Sequence, residues 1–385
     1  MDKVDAGGSK QRGRLGEVAR EFLRLGFVAY GGPAAHVAMM EEGFVRRRGW
    51  VTRERFLDLL GAVSLLPGPS STELAIYLGE IRAGIAGLIV AGACFILPAA
   101  FLVAALAWAY LRFGTLPQAS GLLFGIKPVV VALVAQAVWN LGRTALRTLP
   151  LIVLAIAVIV LAIVGVHVLV LLFGAGCLWL LIHEGKSLAG KTAAFGAWIL
   201  LGTGSATITL GVLPVFLYFL KIGAVLVGSG YVLLPLLRAD LVLKLHWLTD
   251  MQLLDAIAVS QATPGPFFTV ATFIGFLLAG WRGAALATLG MFLPAFLYVG
   301  ATSGFLPKLR KSRLAGAFLD GVNAAAVALM AYVGWQFARA ALIRWPAIAL
   351  GLISAFLVFR YKVNSTWLVL GGAVAGILLS AMGWR

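Results

Sequence analysis

Charged residues are scarce in this sequence: 15 acidic and 31 basic side chains make up 12% of its 385 residues, whereas 61% are hydrophobic. The mean hydropathy of +0.99 lies far outside the range of soluble domains. Apolar runs such as 86–110, 149–163, 166–182 and 366–382 approach the roughly 20 residues that cross a bilayer. The composition therefore excludes a soluble domain and predicts a polytopic protein whose surroundings are lipid.

Cysteine and histidine are also rare, with two and four residues respectively. Cys94 and Cys177 both lie inside apolar runs, which is typical of small buried residues and not of a disulfide or a metal site. The histidines have no zinc-ligand spacing, and the sequence has no nucleophile elbow. We therefore expect no metal, no cofactor and no enzymatic reaction. A membrane-embedded enzyme or scaffold is the alternative from another class.

The formal charge of +16 does not predict nucleic-acid binding, because the basic residues lie in short stretches between apolar runs and form no continuous face. An excess of Lys and Arg instead marks the cytoplasmic loops of membrane proteins. Residues 1–19 are polar and basic without a cleavable apolar stretch, so they are interpreted as a cytoplasmic tail. We expect a multi-pass protein of the cytoplasmic (inner) membrane with its N-terminus in the cytoplasm.

The sequence contains two copies of one unit. The copies align at an offset of 197 residues, which becomes 196 after a one-residue deletion. Random apolar sequence repeats Leu and Val, but it does not repeat Pro-Gly-Pro, Trp and Asp in register. The most informative pairs are Trp50 with Trp247, Asp58 with Asp255, Pro67-Gly68-Pro69 with Pro264-Gly265-Pro266, Pro98 with Pro294 and Trp139 with Trp335.

These matches predict an all-α membrane fold with two repeats, at 20–147 and 214–342. A transmembrane connector of about three helices, 148–213, joins them, and further transmembrane helices follow at 343–385. Such internal duplication is typical of secondary transporters.

Basic loops indicate that the repeats have opposite orientations in the membrane. In repeat 1 the basic cluster is at 46–55, after the first apolar segment, whereas in repeat 2 it is at 308–313, after the Pro294 helix. Both loops belong in the cytoplasm by the positive-inside rule, although they occupy non-equivalent positions. A parallel arrangement is the alternative.

Two segments in each repeat are interrupted by glycine and proline, which break helices. Irregular backbone at membrane depth is tolerated where it lines a cavity, and free N–H groups at a helix N-terminus attract anions. We expect re-entrant hairpins; kinked helices without a ligand are the alternative. The predicted substrate-binding residues at these breaks are Gly31, Gly32, Pro33, Pro67, Gly68, Pro69, Ser70, Ser71, Thr72, Gly228, Ser229, Gly230, Pro264, Gly265, Pro266, Phe267 and Thr269.

Cations inside apolar segments complete the predicted anion site. Arg24 and Lys221 occupy equivalent positions ahead of the glycine breaks, and Lys127 is replaced in repeat 2 by Asn323. Two or three cations suit a divalent anion. Glu73, also assigned to the site, has no acidic counterpart in repeat 2, so it either pairs with a cation or carries a proton.

Five further polar residues are expected to have structural roles. Asp58 and Asp255 are predicted to stabilise helix starts, and Thr249 with Gln252 forms a capping-box pattern. His36 is predicted to be a hydrogen-bonded helix residue.

In combination these motifs resemble the chromate ion transporter family, in its long two-domain form. The resemblance spans roughly residues 20–342, although the second break reads Gly-Ser-Gly in place of Gly-Gly-Pro. The motifs that carry it are Arg24-Leu25-Gly26, Gly31-Gly32-Pro33, Leu66-Pro67-Gly68-Pro69-Ser70-Ser71-Thr72-Glu73, Phe95-Ile96-Leu97-Pro98, Pro264-Gly265-Pro266 and Asp320-Gly321-Val322-Asn323.

The resemblance implies halves of opposite topology and export of chromate from the cytoplasm, driven by the membrane potential or an ion gradient. Together with the breaks it predicts alternating access, with the anion held midway through the bilayer. Another oxyanion such as sulfate is the alternative substrate. Gly372 and Gly376 offer a close-packing face on the last span, which is consistent with a homodimer.

Overall fold

A computed structural model describes residues 2–114, 117–184, 211–226, 230–302 and 313–383. Within these ranges the chain forms fourteen α-helices and no β-strand. The helices are α1 Asp2–Val28, α2 Gly32–Met40, α3 Arg53–Val63, α4 Ser70–Phe113, α5 Pro117–Ala145, α6 Leu149–Ile163, α7 Val168–Glu184, α8 Val212–Val225, α9 Leu233–Leu237, α10 Asp250–Ala262, α11 Val270–Thr302, α12 Arg313–Ala341, α13 Trp345–Tyr361 and α14 Ser365–Ala381.

Four of the described helical segments are long and apolar enough to cross a membrane: Ser70–Phe113, Gly121–Ala145, Phe267–Thr302 and Leu314–Ala341. Five shorter apolar helices accompany them. The predicted all-α, two-repeat membrane fold is confirmed.

Helices α4 and α11 each reverse direction at a glycine. Gly84 has φ +66°, and Gly280, its counterpart at an offset of 196, has φ +60°. Glycine adopts this left-handed region without steric cost. Each helix is therefore a hairpin with a short arm, at 70–82 or 270–278, and a long arm, at 85–113 or 281–302.

Contacts across each hairpin confirm that the arms lie side by side. In α4, a Cβ atom at Gly79 would overlap the carbonyl oxygen of Gly87, and in α11 a Cβ atom at Gly275 would overlap that of Gly283. The Oγ1 atoms of Thr272 and Thr288, on opposite arms of α11, are 2.7 Å apart. Small residues thus allow the backbones to approach closely.

The chain also folds back at the first predicted break. Gly31 and Gly32 have φ +101° and +77°, and the segment after them returns along α1. Arg48, past the turn, forms a 2.6 Å ion pair with Glu21 of α1. The rings of Phe22 and Phe44 are 4.9 Å apart. These contacts agree with the predicted re-entrant path.

The second break of repeat 1 returns the chain to the same end of α1. Arg82, at the end of the short arm of α4, contacts Glu17 at 2.6 Å, and the Trp50 Nε1–H donates to the same carboxylate. Burial raises the pKa of Glu17, but these hydrogen bonds outweigh it and hold the pKa below its ordinary value. Arg48 and Arg82 therefore lie together at one end of this part of the molecule.

The equivalence of the repeats continues beyond residues 147 and 342, the ends predicted for them. Helices α5 and α12 both have 29 residues, and α7 and α14 both have 17. The starts of these pairs are offset by 196 and 197 residues. The helices after each predicted repeat are thus also counterparts of one another.

The chain folds into two compact units, and neither coincides with a repeat. Unit 1 comprises residues 1–114, 211–226 and 259–310, and unit 2 comprises 115–210, 227–258 and 311–385. Each unit therefore takes segments from both repeats.

In unit 1 the two long arms lie side by side and antiparallel. A Cβ atom at Gly92 would meet Phe296, and one at Gly300 would meet Leu88, so the residue number rises along one arm as it falls along the other. Since these arms are equivalent elements, they are related by a local two-fold axis that passes near Ile96 and its counterpart in repeat 2.

Unit 2 repeats this arrangement with α5 and α12. A Cβ atom at Gly142 would lie 3.7 Å from Val327, and one at Gly334 would lie 3.1 Å from Val134. Equivalent helices are thus antiparallel in both units.

The face of α14 that suggested self-association is already occupied. Gly372 and Gly376 pack against Gly125 of α5, in contact with its backbone. This glycine face therefore packs helices within one chain, so it no longer supports a homodimer.

The predicted capping box of Thr249 and Gln252 is present, whereas Asp58 and Asp255 lie in the middle of their helices and do not start them. Thr52 accepts a 3.2 Å hydrogen bond from the Arg55 N–H and begins α3. Thr249 and Gln252 form the reciprocal bonds of a capping box. Asp255 lies in the middle of α10, buried, so the prediction that it starts a helix was wrong.

Candidate functional site

The Pro-Gly-Pro breaks of the two repeats are joined to the first helices of the opposite repeats. The Gly68 N–H donates to the Leu226 carbonyl at 2.7 Å, and the Gly265 N–H donates to the Ala29 carbonyl at 2.8 Å. Both donors and both acceptors are offset by 197 residues, and all four belong to unit 1. Each break is thus fixed by the helix end of the other repeat.

Each Pro-Gly-Pro break contacts the long arm of the opposite repeat. Gly68 packs against Ala295, and Gly265 packs against Ala99. Because Gly92 faces Phe296 on the antiparallel arm, Ala295 is level with Ala93, which is six residues from Ala99. At 1.5 Å per residue the two contacts are about 9 Å apart along the helix axis.

A new helix begins after each break, as predicted, but the two starts differ. In repeat 1 the α-helix begins at Ser70, and the Thr72 N–H donates to Pro69 at 2.7 Å. In repeat 2 a 3₁₀ turn, Phe267–Thr269, precedes the α-helix that begins at Val270. The N–H groups before the first intrahelical bond are the ones that a helix leaves for a ligand.

The threonine hydroxyls at these starts are not equivalent. Thr269 donates its hydroxyl proton to the Pro266 carbonyl at 2.9 Å, so that proton is not free for a ligand. Thr72 is fully buried, and its Oγ1 has no hydrogen-bond partner among the described residues. The unused side-chain donor is therefore in repeat 1.

His36 links the two breaks of repeat 1. It is fully buried, with Nε2 3.1 Å from the Ala29 carbonyl and Nδ1 3.4 Å from the Ser71 Oγ. Ala29 thus accepts from both His36 and Gly265. The prediction of a hydrogen-bonded helix histidine is confirmed.

The three predicted cations differ in their surroundings. Arg24 is exposed on the outer side of α1, together with Leu23 and Phe27, and Lys221 is half-buried on α8. Both belong to unit 1, whereas Lys127 belongs to unit 2.

Lys127 forms an ion pair that the sequence did not reveal. Its Nζ lies 3.2 Å from Asp255 Oδ1, and the two side chains are only 15% and 3% exposed. The positive charge assigned to substrate binding is therefore compensated within unit 2 by a carboxylate of repeat 2. The sequence shows that both residues are ionisable groups in apolar segments. It contains no pattern that predicts their contact.

Of the other predicted site residues, two belong to unit 2 and two lie outside the described residues. Asn323 lines a cavity of about 240 Å³ in unit 2, together with Arg147 and Asp320. Gly230 begins a short 3₁₀ turn, Gly230–Val232. Gly228 and Ser229 lie outside the described residues.

Among the described residues, no three His, Cys, Asp or Glu side chains are close enough to hold a metal ion. The available groups are instead helix N-terminal N–H groups and hydroxyls, which suit an oxyanion.

Comparison with known proteins identifies the family. A family profile described as chromate transporter matches residues 16–180 and 213–377, two ranges offset by 197 residues. The chain belongs to the chromate transporter family. Both matched ranges run past the predicted repeat ends and include α6 with most of α7 and α13 with most of α14.

Several chromate transport proteins align with nearly the whole length of this chain. The chromate transport protein of Cupriavidus metallidurans is 32% identical over 372 residues, 94% of this chain and 93% of its own. The chromate transport protein of Pseudomonas aeruginosa is 32% identical over 93% of this chain and 91% of its own. A probable chromate transport protein of Synechococcus elongatus is 30% identical over 94% and 95%. No solved structure matches.

Proposed function

We propose that this chain is a secondary transporter that exports chromate, or a related oxyanion, from the cytoplasm. The observation that carries the proposal is the helix start at Ser70–Thr72, where Ser71 and Thr72 are buried and the breaks of the two repeats interlock. It has N–H donors and an unused hydroxyl, the groups that a tetrahedral oxyanion accepts from. Relatives that carry the name chromate transport protein support chromate as this anion.

The site within unit 1 is assigned to Ser70, Ser71 and Thr72, supported from repeat 2 by Gly265. Gly31, Gly32 and Pro33 shape the turn that brings Ala29 to Gly265. The Thr269 hydroxyl already donates to the Pro266 carbonyl, and Arg24 is exposed. We therefore assign these two residues a smaller role in anion binding than the sequence predicted.

The proposal also includes opposite membrane orientations for the two repeats. The antiparallel pairing of equivalent helices in each unit supports it. So does the charge at the ends: Arg48 and Arg82 of repeat 1 correspond to Leu245 and Leu278 in repeat 2. By the positive-inside rule the arginine-rich end of repeat 1, with the N-terminus, is cytoplasmic, and the membrane is the inner membrane.

Alternating access is the proposed transport mechanism. Because both repeats contribute to both compact units, we assign the movement to the units, not to the repeats as rigid halves. A membrane potential that is negative in the cytoplasm favours outward movement of a divalent anion.

Purified protein in sealed liposomes tests this function. Wild-type protein is expected to give saturable chromate flux that responds to an imposed potential. Thr72→Val should reduce the flux about ten- to hundredfold, since a hydrogen bond to a charged group is lost. Thr269→Val is the matched control and should reduce it far less, because its hydroxyl proton bonds Pro266.

The outcomes separate the alternatives. Equal losses in the two threonine variants would contradict the assignment to repeat 1. Competition of chromate flux by excess sulfate would identify a broader oxyanion transporter. Absence of wild-type flux under every gradient would contradict the proposed function.

A further inference from the structure

The carboxylate of Glu73 lies at the proposed anion site without a partner. Glu73 is in the first turn of the short arm of α4, is fully buried, and has no hydrogen bond to either carboxylate oxygen among the described residues. The matching residue in repeat 2 is Val270, also fully buried. In repeat 2 a helix therefore forms at the equivalent place without an acidic group.

The side chains around Glu73 offer it no counter-charge. Of the titratable groups near it, Tyr77 on its own arm contacts Thr302, and Tyr298 on α11 donates to the Ala224 carbonyl at 2.9 Å. His36 on α2 is engaged with Ala29 and Ser71, and Glu80 lies one turn beyond Tyr77. No Lys, Arg or His of the described ranges forms an ion pair with Glu73.

An isolated charge in such surroundings is expensive, whereas a neutral carboxylic acid is tolerated. Gly68 leaves the space that the carboxyl group fills: a Cβ atom there would lie 2.5 Å from Glu73 Oε1. Among the described residues, the positive helix end beside Ser70 and Ser71 is the feature that favours an anion at this position.

We propose that Glu73 is a proton-binding residue whose protonation is coupled to oxyanion binding. This inference rests on the proposed function. A charged Glu73 and a bound oxyanion compete for the same helix end, so the anion binds when the carboxylate has taken one proton from water to become the acid. When the anion leaves, the proton returns to water. Proton and oxyanion therefore bind together, and affinity rises as pH falls.

Equilibrium chromate binding to purified full-length protein, at about pH 6 and about pH 8, tests the coupling. Chromate itself takes up a proton in this range, so each variant is compared with wild type at the same pH. Glu73→Gln is permanently neutral. It should bind more tightly than wild type at the higher pH, by up to about tenfold for each pH unit over which wild-type Glu73 is ionised, and equally at the lower pH.

Two further variants make the test decisive. Glu73→Val, which introduces the residue of repeat 2, should show the same pH-dependent ratio to wild type as Glu73→Gln, and it covers the case in which glutamine impairs folding. Glu54→Gln, which removes an exposed carboxylate from α3, should follow wild type. Identical pH dependence in wild type and both Glu73 variants would overturn the coupling and leave the transport function standing. Absence of wild-type chromate binding at both pH values would overturn both.

Discussion

Replacing Lys127 with methionine is expected to destabilise the protein by about 3–5 kcal/mol, because it leaves the buried Asp255 without its ion pair. Sequence alone presents Lys127 as a substrate ligand whose loss would stop transport and spare the fold. The 3.2 Å contact predicts instead that stability falls first. Thermal unfolding of the detergent-purified variant measures this.

The matched control removes both charges. A Lys127→Met, Asp255→Leu double variant should recover most of the lost stability, since replacing a buried pair by apolar residues is often neutral. If it also transports chromate, the pair is structural. Wild-type stability in the single Lys127→Met variant would contradict the assignment of this ion pair to the fold.

Replacing Gly79 with valine is expected to prevent the hairpin of α4 from closing. The added side chain would overlap the backbone of Gly87, which cannot move aside as a flexible side chain does. We expect a loss of about 3 kcal/mol or more, at the upper end of overpacking costs. Gly275→Val should have the same effect in α11, because its surroundings are equivalent.

Gly174→Val is the appropriate control, since a Cβ atom there meets nothing within 4 Å. Folded yield by size-exclusion chromatography should be lost in the first two variants and kept in the third. A well-folded Gly79→Val protein would show that the arms of α4 need not lie in contact.

The breaks could be predicted from sequence because their cause is local. Glycine at Gly31 and Gly32, and proline on both sides of Gly68, restrict the backbone wherever they occur. Their recurrence at a fixed offset marked the repeat without any knowledge of contacts. The all-α membrane fold likewise follows from hydropathy.

The reversals at Gly84 and Gly280 were harder to see, because a single glycine inside an apolar run is common in membrane helices. What makes these two turn is the packing of Gly79 on Gly87 and of Gly275 on Gly283, which exists only after folding. The apolar run predicted at 86–110 begins just after the first of these turns, but the sequence did not identify the turn itself.

Pairings between distant segments could not be predicted. Lys127 and Asp255 are far apart in sequence, as are Gly68 and Leu226, and no local pattern joins them. The equivalence of the helices after 147 and 342 was also not predicted, because they share few of the Gly, Pro and Trp residues that made the alignment visible. The predicted substrate site stays a prediction, but the ion pair of Lys127 could not have been read from the sequence.

The central structural proposal is that the two repeats enter the membrane in opposite orientations. Single cysteines at equivalent positions, Glu54→Cys and Met251→Cys, test it in a background lacking Cys94 and Cys177. Both positions are exposed in the first turns of α3 and α10. In sealed vesicles a membrane-impermeant maleimide should label the first cysteine only from the cytoplasmic side and the second only from the opposite side. Labelling of both from the same side would contradict the inverted arrangement.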